Sequence, residues 1–177
     1  MERFRLHPFP GAVAPDLAIE VKLTRWAEGA LEITYEVTGP VASILLPAPE
    51  APQRRDGLWQ HTCFEAFFAL GGTAYLEANF APSQHWAAYR FDHYRMGMAP
   101  AEAFPAPEIR LEAPPERLLL TVRLAPLPVL AQVTALGLSA VIKDRSGGTS
   151  WWALAHPGDK PDFHHRDCFV AQLPAAD

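Results

Sequence analysis

Positive charge is the first thing this chain lacks. Its 15 Lys and Arg stand against 20 Asp and Glu, a formal net charge of −5 over 177 residues. Without a basic stripe to neutralise phosphates, nucleic acid and an anionic membrane surface are excluded as principal partners. Long apolar runs are missing too: no stretch reaches the ~18 residues of a membrane-spanning helix. The opening MERFRLHPFPGAVAP has no apolar signal core, so no membrane partner and a cytoplasmic location are expected. Cysteine is scarce. Cys63 and Cys168 each lie in an apolar, strand-like run, which predicts two buried thiols rather than a disulfide or a metal pair. Walker, G-x-G-x-x-G, G-x-S-x-G and H-E-x-x-H patterns are all absent, which removes the familiar phosphate-cradle, dinucleotide, serine-elbow and zincin chemistries.

Long amphipathic helices are lacking as well, and 18 prolines with 11 glycines spread through the chain account for that. What the sequence has instead is short segments of period two. Leu17 to Ala27 and Leu31 to Thr38 alternate around Gly29 and predict a hairpin. Val41 to Leu46 reads as a short strand, Gln84 to Tyr94 as another, and Glu108 to Ala113 with Arg117 to Leu124 as a second hairpin. Pro126 to Val133 fits one helical turn. Leu136 to Asp144 puts Leu136, Leu138, Ala140 and Ile142 on one face, Thr149 to Leu154 follows a Ser-Gly-Gly turn, and Cys168 to Leu173 reads as the last strand. Ten or more short strands with no repeat predict an all-β fold, an antiparallel two-sheet β-sandwich of jelly-roll type. The whole of 1–177 reads as one domain, with 1–16 an irregular N-terminal arm or edge strand.

The most informative run is Arg54 to Ser83. Phe64, Ala66, Phe68 and Leu70 share one parity and Cys63, Glu65 and Phe67 the other, while Leu76, Ala78 and Phe80 alternate with Tyr75, Glu77 and Asn79. Matching the apolar faces of an antiparallel pair requires partner numbers with an even sum, such as Glu65 opposite Glu77. A two-residue Gly-Gly turn would break that parity, so a three-residue or bulged connection is predicted. Glu65, Glu77 and Asn79 then share a face, with Trp59 arriving just before it. Antiparallel sheets commonly leave one polar face in water, but facing carboxylates ask for a ligand or cation. Carboxylates directly opposed on neighbouring strands are too close for the usual glycosidase pair, which lowers the standing of an enzyme.

Aromatic and loop residues supply candidates for the opposite wall. Trp151 and Trp152 are adjacent and must face opposite sides, so one is core and the other available. The loop from His156 to Asp167 holds His156, His164 and His165 among carboxylates, suitable ligand types for a metal without a diagnostic spacing.

Taken together, Trp59 to Glu65, Y-L-E-x-N at Tyr75 to Asn79, the Trp86–Tyr89 stretch, Y-R-x-G-M at 94–98 and K-P-D-F-H at 160–164 resemble small bacterial DOMON-like proteins and family-nine carbohydrate-binding modules, over about residues 15 to 173. The resemblance implies that Trp59 is one jaw of an aromatic clamp and that Glu65 and Asn79 lie at a sugar. It also marks departures: Glu77 stands where those modules carry an arginine, and the second clamp tryptophan falls near Phe163-His164. The expected role is a non-catalytic module for a saccharide or sugar-like metabolite. Its expected ligand set is Trp59, Glu65, Glu77, Asn79, Lys143, Trp152, Phe163 and His164, with no catalytic residue, metal ligand or cofactor. The alternatives are a haem- or metal-binding protein using Met96 or Met98 with a histidine of the 156–165 loop, and a carbohydrate-active enzyme.

Overall fold

The computed structural model describes residues 1–12 and 15–176. Eleven strands run through it: β1 (Glu2–Pro8), β2 (Ala18–Arg25), β3 (Leu31–Thr38), β4 (Cys63–Ala69), β5 (Tyr75–Phe80), β6 (Trp86–Phe91), β7 (Ala99–Pro100), β8 (Glu108–Glu112), β9 (Arg117–Leu124), β10 (Ala135–Lys143) and β11 (Thr149–Ala153). Among the described residues the only helices are short 3₁₀ turns, and none could cross a membrane.

The chain is all-β and antiparallel, but the expected pair of separate sheets is replaced by one curled sheet of order β7-β6-β5-β4-β10-β11-β1-β2-β3-β9-β8. The cause is β1. Its Glu2 to Leu6 pair with β2, while His7 and Pro8 pair with Trp152 and Ala153 of β11, so the segment expected as an irregular arm or edge is the central seam. Val13 and Ala14 of that predicted arm lie outside the described residues.

The curl closes on one core. Ile19, Val21, Leu23, Ile33, Tyr35, Val37, Leu118, Leu120 and Val122 enter from one half, and Phe64, Phe68, Phe80, Leu136, Leu138 and Ile142 from the other. At about 1.5–3 kcal/mol for each fully buried large apolar side chain, these alternating positions dominate the stabilisation of the sheet. Two predicted strands are not strands. Val41–Ser43 forms a 3₁₀ turn after Pro40, with only Ile44 bridging to Asp144. At the other end Arg166–Cys168 is a 3₁₀ turn, and of the expected last strand only Ala171 pairs, with Leu136. β11 covers β10 only from Ser139 to Lys143, so the free edge left at Leu136 is short.

The β4–β5 pairing keeps the predicted parity but differs by two residues in register. Leu70 donates to Ala74 across a three-residue tip in which Gly72 takes φ +72, and Glu65 therefore lies opposite Asn79, with Glu77 opposite Phe67. The two glutamates are diagonal neighbours on one face. That face is not solvated, because the 154–171 segment covers it. Phe169 stacks on Phe67 with ring centroids 5.6 Å apart, and Phe67, Tyr75, Val141, Phe163 and Phe169 form a second apolar cluster outside the curl.

Candidate functional site

Between this covering segment and the β4–β5–β10–β11 face lies a pocket of about 280 Å³. Its floor is Glu65 and Glu77, with Val141 and Trp151 beside them. Trp59, on the 3₁₀ turn Leu58–Gln60, and Phe163 and His164, on the covering segment, form walls. Phe91, Arg95 and Met98 close the remaining side.

Strand geometry fixes the floor. Glu65 and Glu77 are only 3% and 5% exposed. Ser139, directly opposite Glu65 on β10, donates its hydroxyl to Glu65 Oε2 at 3.2 Å, and Asn79 Nδ2 donates to Glu77 Oε1 at 2.8 Å. One oxygen of each carboxyl thus has a protein donor. Burial first, and then the neighbouring Glu77 charge, push the Glu65 carboxyl up to about 8 against 4.5 for a free glutamate. Burial also raises Glu77, the Asn79 hydrogen bond opposing it. Near neutral pH Glu65 therefore keeps its proton and can donate as well as accept.

His164 is held from three sides. Tyr75 Oη accepts from the Arg95 backbone N–H at 3.1 Å, so its own proton goes to His164 Nδ1 at 2.8 Å. The ring proton is then on Nε2, which faces Glu77 Oε2 at 3.7 Å. Burial, and after it the Arg95 charge, push this imidazole down to about 4 from 6.5, so it is neutral at physiological pH. Arg95 itself sits at φ +54, a left-handed position costing a non-glycine residue roughly 1–2 kcal/mol. Its guanidinium donates to Asp162 Oδ1 at 2.8 Å, which ties the 92–98 turn to the covering segment. Burial raises the Asp162 carboxyl, but hydrogen bonds from Tyr94 and Arg95 outweigh it and hold the group below its ordinary value.

Of the expected ligand set, Trp59, Glu65, Glu77, Phe163 and His164 converge on this pocket and three residues do not. Asn79 is fully buried behind Glu77 and orients it. Lys143 turns away to donate to Thr149 Oγ1 at 2.7 Å. Trp152, 2% exposed, points into the core with its indole N–H on Ser150, and its neighbour Trp151 faces the pocket instead. The reason is register: Val141 pairs with Trp151 across a tip in which Asp144 accepts from Gly147 and donates to Gly148, an odd-length turn that the Ser-Gly-Gly sequence alone did not specify. Phe91 and Arg95 were missed, and Met98 was considered only as a haem ligand. Gly97 two residues after Arg95, in a stretch without periodicity, was the available sign of a tight turn there, and Gly97 does take φ +70.

The histidines do not gather. His156 Nε2 bonds the His7 carbonyl at 2.8 Å, His165 turns toward Asp167, and Met96 is exposed. Among the described residues no three His, Cys, Asp or Glu side chains are grouped to hold a metal. Met98 does share the pocket with His164, whose Nδ1 is engaged by Tyr75 Oη at 2.8 Å. Cys63 and Cys168 are buried free thiols.

Compared by sequence, the chain matches no family model and no curated protein. By structure it resembles a candidate carbohydrate-binding protein from Bacteroides uniformis at TM-score 0.62 and 13% identity, over 96% of this chain and 84% of that one. Two solved structures of a family 9 carbohydrate-binding module from Caldicellulosiruptor kristjanssonii, with glucose and with cellotriose, overlap at TM-scores of 0.44 and 0.47 and identities of 14% and 15%. They cover 80% and 86% of this chain and 69% and 72% of those. These two overlaps are too loose to argue from, whereas the fold is shared with the Bacteroides uniformis protein over nearly the whole chain.

Proposed function

We propose that this protein is a non-catalytic binding module of DOMON-like type whose ligand is a saccharide or sugar-like metabolite, held in the pocket between Trp59 and Phe163. The observation that carries the reading is a pair of buried carboxyls set among aromatic faces on the floor of an open pocket. At about 280 Å³ it falls at the small end of the ~300–1,000 Å³ usual for small-molecule sites, which suits one ring-sized molecule. Protonated Glu65 offers hydroxyl groups both a donor and an acceptor, and Trp59, Trp151 and Phe163 offer flat apolar surface to C–H faces. The carbohydrate-binding description of the Bacteroides uniformis protein supports the same class of ligand.

Trp59 is the wall most open to solvent, 40% exposed and edge-on to Tyr89 at 6.1 Å. Trp59→Ala is therefore expected to leave the fold stable and to weaken monosaccharide binding at least tenfold, equivalent to about 1.4 kcal/mol, by calorimetry. Unchanged affinity in that variant would show that the ligand does not use this wall.

A further inference from the structure

The charge inside the pocket is unbalanced. Glu65 and Glu77 are buried on its floor, and among the described residues the only basic group within 4 Å of either is His164, which is neutral. Arg95, the one guanidinium lining the pocket, is already paired with Asp162 at 2.8 Å. The protein supplies hydroxyl and amide donors to the two carboxyls, and among the described residues the cation whose charge lowers them, Arg95, makes no hydrogen bond to either.

Building on the sugar-pocket reading above, we propose that the ligand carries a positively charged amine, as in an amino sugar, placed against the Glu65–Glu77 pair. A neutral polyol would not account for the second buried carboxyl, since a glutamine there would donate and accept without the cost of desolvating a charge. An ammonium group changes that account. It brings up to three N–H donors to the free carboxylate oxygens, in charge-assisted hydrogen bonds about twice as strong as neutral ones. The rings of Trp59, Trp151 and Phe163 around the same space add cation–π attraction in a desolvated setting.

A cation beside the pair also favours ionisation of both carboxyls. The titratable and charged groups around them are Tyr35 on β3, Cys63 on β4, Tyr75 on β5, Tyr89 on β6, His164 on the covering segment, and Arg95 with Asp162 across the mouth. At pH 6.5 Glu65 holds its proton, so binding an amine expels about one proton to solvent, and binding a neutral sugar expels none.

The test is calorimetric titration of the intact protein at pH 6.5 with glucosamine, glucose and N-acetylglucosamine, each in two buffers of different ionisation enthalpy. Glucosamine is expected to bind at least tenfold tighter than the other two and to release about one proton, and Glu65→Gln is expected to erase both the preference and the release. Glucose binding as tightly as glucosamine, or glucosamine binding without proton release, overturns the amine inference and leaves the sugar pocket standing. No binding of any of the three at millimolar concentration overturns both. A preference retained in Glu65→Gln likewise contradicts the placement of the amine.

Discussion

Gly137→Ala is expected to destabilise the protein by about 2 kcal/mol in urea unfolding and to weaken ligand binding with it. A Cβ on Gly137 would stand 2.5 Å from Phe169 Cδ1 and 3.2 Å from Phe67 Cβ, both closer than packed carbons allow. Phe169 is the anchor of the covering segment, stacked on Phe67 and tilted against Tyr75 at 5.7 Å. Displacing its ring lifts the segment that carries Phe163 and His164 over the carboxyl floor. Gly71→Ala is the control: its Cβ would meet nothing within 4 Å, and a change within about 0.5 kcal/mol is expected. If both variants unfolded like the parent, the covering segment would not be held by this contact.

The second large effect is on pH. The Glu65 carboxyl is raised from 4.5 to about 8 on folding, so its contribution to stability is fully present below pH 4.5 and is lost as the pH rises to about 8, on the order of 5 kcal/mol in all. His164 acts in the opposite sense. Its folded value is depressed to about 4 from 6.5, so its contribution is present above pH 6.5 and is lost as the pH falls to about 4. Between pH 4.5 and 6.5 the Glu65 and His164 slopes oppose each other. Between pH 6.5 and 8 His164 is silent, and stability should fall by about 2 kcal/mol through Glu65. Glu65→Gln keeps an acceptor for Ser139 and should remove most of that fall, making the variant more stable than the parent at pH 8. An unfolding free energy that is flat from pH 6.5 to 8 in the parent would mean that Glu65 is ionised throughout.

Both effects arise from burial that the sequence showed only in part. Alternation in Phe64, Ala66 and Phe68 against Leu76, Ala78 and Phe80 was enough to place Glu65 and Glu77 on one face, because parity survives any odd-length tip. Register did not survive, since the tip closes at Leu70 and Ala74 and moves the glutamates to a diagonal. The same dependence on turn length decided between Trp151 and Trp152. Non-local facts were invisible. That His7 and Pro8 leave β2 to pair with β11 turns a sandwich into one curled sheet, and nothing in a proline-rich opening signals it. The cover over the carboxyls rests on a loop of irregular backbone, whose Phe169 finds Gly137 by shape rather than by period. Arg95 belongs to the same class, since only its turn and Tyr75 bring it to the pocket.

The most direct measurement is a titration of the protein with glucose and with glucosamine, followed through the indole N–H resonances of its five tryptophans by NMR. Trp59 and Trp151 line the pocket, Trp152 is sealed in the core, Trp86 packs against that core, and Trp26 lies at the β2–β3 turn. Shifts at Trp59 and Trp151 that saturate together, with Trp26, Trp86 and Trp152 unmoved, are the predicted result. Resonances of Trp59 and Trp151 that stay in place while both sugars are raised to millimolar concentration would contradict it.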